Sequence, residues 1–73
     1  MWIESDEGEL INTSFIERLC VDRRREHDWR VIAVLRDGKP VVIEKEIDTV
    51  EKARGHMFAV AESAMEGIYE KCK

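Results

Sequence analysis

The last third of the chain, from Asp48 to Lys73, constrains the fold more than any other stretch, because its apolar residues recur with a helical period. On a wheel of ~100° per residue, Val50, Ala53, Met57, Phe58, Val60, Ala61, Ala64, Met65, Ile68, Tyr69 and Cys72 fall on one side. Lys52, His56, Glu62, Ser63, Glu66 and Glu70 fall on the other. Asp48 is the expected N-cap, accepting from the unpaired N–H groups of the first turn, with Glu51 returning the bond three residues on. Lys71 and Lys73 suit the negative end of the helix dipole. The pattern predicts one helix over residues 49–71. Gly55 and Gly67 each cost it roughly 1 kcal/mol.

The apolar arc covers about half the wheel, wider than the ~100° stripe that one core requires. It divides into two edges. Val50, Ala53, Met57, Val60, Ala64 and Ile68 form an edge with small residues that suits close packing on a sheet. Phe58, Met65 and Tyr69 form a bulkier one. Either both edges belong to a single core, or the second meets another chain.

Upstream of the helix the periodicity is that of strands. Residues 1–5 and 9–21 read as strands around a turn at Asp6-Glu7-Gly8, where glycine takes a positive φ at little cost. Trp2 is expected to be buried and to tie the terminus down. Asn12-Thr13-Ser14 reads as a bend or bulge, with a single helical turn around Ser14 to Glu17 as the competing reading. Asp22 to Asp28 reads as a charged hairpin loop. Residues 29–36 and 40–47 are strands of clear alternation. A three-residue loop, Arg36-Asp37-Gly38, keeps odd positions beside odd, so that Trp29, Val31, Ala33, Leu35, Val41 and Ile43 share one face. Pro40 begins its strand, where a missing ladder donor is tolerable. The opposite face carries Ile32, Val34 and Val42, more apolar than an outer face should be. The expected fold is α+β: a four-stranded antiparallel β-meander followed by one long C-terminal α-helix packed on the sheet, in one domain.

A chain of 73 residues buries only ~60% of its unfolded surface, so added stabilisation is expected. Two cysteines far apart in sequence do not make a disulfide framework. Neither they nor His27 and His56 show a zinc-ligand spacing, and no phosphate loop, HExxH or CxxC motif is present. No cofactor, metal or enzymatic activity is therefore expected. Self-association is the simplest supplement. The expected homodimer contact is Phe58, Met65 and Tyr69, with Ile32, Val34 and Val42 as second choice. The rival reading is weak nucleic-acid binding through Arg23, Arg24, Arg25 and Arg30. The net charge of −4 and the neighbouring Asp22, Glu26 and Asp28 oppose it. No apolar run approaches the ~18 residues of a membrane span, and the acidic opening lacks a signal-peptide pattern. A cytoplasmic protein with reduced thiols is expected.

The opening Trp2-Ile3, Gly8 and Leu10-Ile11-Asn12 resembles the start of short uncharacterised bacterial and phage-type proteins with a W-I…G-x-L-I/V-N pattern. Thr49-Val50-Glu51-Lys52-Ala53 is similar to the entry of their final helix. The resemblance implies a β-meander followed by a C-terminal helix, and carries over no activity or site residues.

Overall fold

A computed structural model describes the backbone of residues 2–64, and side chains as far as Glu62. The elements are β1 (Trp2–Glu4), β2 (Leu10–Asn12), a 3-10 turn (Thr13–Phe15), β3 (Ile16–Arg25), β4 (Asp28–Leu35), β5 (Pro40–Ile47) and α1 (Val50–Ala64). The architecture is α+β with the C-terminal helix packed on a sheet. Among the described residues the strands number five and form two sheets, a β1–β2 ribbon and an antiparallel β3–β4–β5 sheet, in place of one four-stranded meander.

The expected strand 9–21 is divided by the side chain of Asn12. Its Oδ1 accepts from the Ser14 amide at 3.1 Å and the Ser14 hydroxyl at 3.0 Å, capping the 3-10 turn and re-aiming the chain. Two of the hairpin turns share a geometry. In each a carbonyl accepts from a glycine three residues on, Ser5 from Gly8 at 3.0 Å and Leu35 from Gly38 at 2.8 Å. Gly8 and Gly38 have φ of +88° and +89°, a region other residues enter only with strain. The three-residue loop at Gly38 sets Ala33 beside Val41 and Ile32 beside Val42. Beyond that point β5 bulges twice, so that Val31 faces Glu44 and Trp29 faces Ile47.

The charged segment Asp22–Asp28 is not a loop. β3 runs on through Arg25 and β4 begins at Asp28, with the turn confined to Glu26 and His27, the latter at φ +61°. The charges fit a ladder because they pair across it. Asp22 and Arg30 are opposite neighbours, and the Arg30 Nε and Nη2 donate to the two Asp22 oxygens at 2.9 and 2.6 Å.

One face of the three-stranded sheet holds the core. Ile3 and Ile11 of the ribbon cover one end, packing with Ile16, Leu19, Ala33, Leu35, Val41 and Ile43. Ala53 and Met57 of α1 cover the other, with Val21, Trp29, Val31 and Ile47. Val31, Ala33 and Ala53 are fully buried. The helix lies mainly over β3 and β4. Its cap is Thr49, not Asp48. The Lys52 amide donates to the Thr49 hydroxyl at 3.3 Å and the Ala53 amide to the Thr49 carbonyl at 3.0 Å. Asp48 sits one residue too early and instead meets His27 Nδ1 at 3.1 Å.

Candidate interaction surface

The arginines expected as nucleic-acid contacts are largely engaged within the chain. Arg30 is held by Asp22, whose carboxylate raises the guanidinium above its ordinary pKa against the opposing effect of burial. Arg24 donates through Nε and Nη2 to Asp28 Oδ2 at 2.9 and 2.8 Å. The Arg23 guanidinium lies 5.7 Å from the centre of the Trp29 ring, a cation–π distance. Arg25 is exposed and acts on Asp28 through its charge. A phosphate would have to displace three arrangements to bind four arginines.

Asp28 is the buried charge that fastens this corner. Burial pushes its carboxyl up. The Arg24 hydrogen bond, the Glu46 amide at 2.9 Å and the charges of Arg24 and Arg25 outweigh that and leave it below its ordinary value. The Glu46 amide reaches it because Glu46 adopts a left-handed φ of +58° in the second bulge of β5, a non-glycine conformation sustained by its surroundings. The first bulge turns Glu44 toward α1, where its carboxylate meets His56 Nδ1. His56 is thus a half-exposed contact between helix and sheet, rather than a purely solvated residue of the polar side.

Trp2 is 61% exposed, contrary to the expected burial. The reason is register. Trp2 pairs with Asn12 and Glu4 with Leu10, so alternation sends these four outward while Ile3 and Ile11 face the core. Leu10 at 68% and Phe15 at 59% are also exposed. The three border one groove of about 250 Å³, floored by Ile11, Leu35 and Val41. The alternation of β2 and the 3-10 turn at Phe15 create this patch, which the pattern of residues along the chain does not show.

Phe58 is 56% exposed, while Ala53 and Met57 of the same helix pack on the sheet. The helix therefore turns its small-residue edge inward and Phe58 outward. Met65 and Tyr69, expected beside Phe58, lie outside the described residues. The second-choice face is less open than expected. Ile32, between Cys20 and Val42 in the ladder, is 8% exposed, and Val34 and Val42 are half-buried. Among the described residues no cluster of three His, Cys, Asp or Glu side chains could hold a metal ion. No described helix is long and apolar enough to cross a membrane.

The chain matches no protein-family profile, no curated protein and no solved structure. The roles of its residues rest on their geometry alone.

Proposed function

We propose that this chain is a small cytoplasmic protein-interaction module without enzymatic activity, and that it works as a homodimer. The observation that carries the proposal is the apolar surface left uncovered: Trp2, Leu10, Phe15 and Phe58 are each more than half exposed on a chain of 73 residues. Exposed apolar groups, three of them gathered around one groove, mark contact surfaces. Ordering so small a core also leaves little stability to spare, and association supplies more.

Sedimentation and light scattering at micromolar concentration test the proposal. The expected result is a dimer with twice the 8.5 kDa chain mass, dissociating on dilution, with a Tm that rises with concentration. A monomer whose Tm is the same at every concentration overturns it.

A further inference from the structure

The outer edge of β3 is ten residues long and pairs with no strand among the described residues. The phase of the ladder shows which of its backbone groups face outward. On β4, the Leu35 amide turns to the β5 side, donating to the Lys39 carbonyl, and the Arg36 amide turns to the β3 side, donating to the Phe15 carbonyl. Alternation then directs Ile32 to β3, where its partner is Cys20. Cys20 therefore spends its N–H and C=O inward, and Leu19 and Val21 turn theirs outward. The bulges of β3 lie near its ends, between Ile16 and Arg18 and between Arg23 and Arg25, leaving its middle regular.

The side chains of that middle are self-complementary. Two identical antiparallel strands related by a two-fold axis through the sheet set one residue opposite itself. With Cys20 at the axis, Arg18 faces the partner's Asp22 and Leu19 faces the partner's Val21. The Arg18–Asp22 pair is opposite in sign and occurs twice. With Leu19 at the axis, Arg18 faces the partner's Cys20, with no charge matched. With Val21 at the axis, Cys20 faces the partner's Asp22 and Leu19 the partner's Arg23, with no charge matched. Opposite charges directly across a ladder stabilise it and like charges destabilise it.

The helix provides an independent pointer to the same edge. His56 meets Glu44 of β5, so that flank of α1 faces β5. Phe58 lies about 160° from His56 on a wheel of ~100° per residue, on the flank toward β3. A two-fold axis normal to the sheet keeps both helices on one face and brings their Phe58 flanks toward each other.

We propose that two copies of this chain join β3 to β3 in antiparallel register about Cys20, forming one continuous six-stranded sheet. Leu19 and Val21 would exchange backbone hydrogen bonds across the axis, and their side chains would continue the core of one protomer into the next. This names the contact surface of the homodimer and rests on the self-association reading. Such an interface is isologous and closed, and it removes the unpaired edge that would otherwise template open-ended assembly.

The register places the two Cys20 residues in a pair without direct hydrogen bonds, with Cα atoms about 4.5 Å apart. That separation lies within the span a disulfide bridges. The full chain carrying Cys72→Ser is treated with diamide, which takes up the two thiol protons and two electrons, becoming the hydrazine, as the sulfur–sulfur bond forms. The expected product is a disulfide-linked dimer whose linking peptide contains Cys20 twice. Arg18→Glu turns two attractive pairs into repulsive ones and is expected to weaken the dimer by about tenfold. Arg18→Lys, which keeps the charge, is expected to leave the dimer in place. A dimer in sedimentation that neither cross-links through Cys20 nor responds to Arg18→Glu overturns the β3 contact and leaves self-association standing. A monomer throughout removes both.

Discussion

The two edges of the three-stranded sheet are built in opposite ways. The β5 edge is closed from within. Pro40 offers no donor, two bulges interrupt the strand, and the Asp6 amide occupies the Val42 carbonyl at 2.9 Å. Lys45 and Asp6 then meet at 3.3 Å across the same gap. These are devices that keep an edge from pairing with another chain. The β3 edge has bulges only near its ends and a regular middle whose charges match a second copy of itself. The difference teaches that stability and association are assigned to different strands. Changes along β5 should unfold the monomer, and changes along the outer edge of β3 should alter only what it binds.

The largest effect is expected from Ile47→Ala. Ile47 closes β5 over Val31 and Ala53, beyond the bulges that end pairing on that edge. Truncating a buried isoleucine costs about 2–5 kcal/mol. Each kcal/mol lowers Tm by roughly 4–8 °C in a domain of this size. Thermal unfolding followed by circular dichroism measures the loss. A shift of a degree or two would mean that this end of β5 is not part of the core, and the contrast between the edges would fail.

A smaller and pH-dependent effect is expected at Asp28, which holds the second bulge through the Glu46 amide. Its carboxyl titrates below its ordinary value in the folded chain, so the unfolded chain binds the proton more readily. The stabilisation is complete above the ordinary carboxylate pKa of about 3.9 and is lost as pH falls through the lower folded value. Asp28→Asn should lower Tm at neutral pH and leave a shallower fall below about pH 4. An unchanged acid limb would assign the acid sensitivity to other carboxylates.

Parts of this arrangement were legible in the sequence. The inward edge of the helix and the loop at Gly38 follow from periodicity and from a glycine placed where only positive φ fits. The ribbon's strands, its turn at Gly8 and a break near Asn12 were legible; its separation into a sheet of its own was not, because the cap that makes the break is one side chain, Asn12, acting on Ser14. Nor was the length of β3. Asp22 and the arginines look solvated when read along the chain, and they become ladder pairs only once Arg30 and Trp29 stand opposite. The bulges of β5 left no signature, since Glu46 takes its left-handed φ without a glycine. The self-complementary run Arg18 to Asp22 was visible, but its meaning depends on knowing that this edge is open.

The smallest effect on the isolated chain, and the sharpest on the comparison, is expected at Phe58. It is 56% exposed, so Phe58→Ser should change the stability of the dilute monomer by no more than about 0.5 kcal/mol, the usual range for surface positions. In a dimer joined along β3 the same ring is brought toward its counterpart on the partner's helix. Its loss should flatten the dependence of Tm on protein concentration. The two readouts separate the alternatives left open by the width of the apolar arc. If the dilute monomer loses several degrees, both edges of the helix serve one core, and the β3 side is no more open than the β5 side. If only the concentration dependence falls, the bulky edge belongs to the contact between chains.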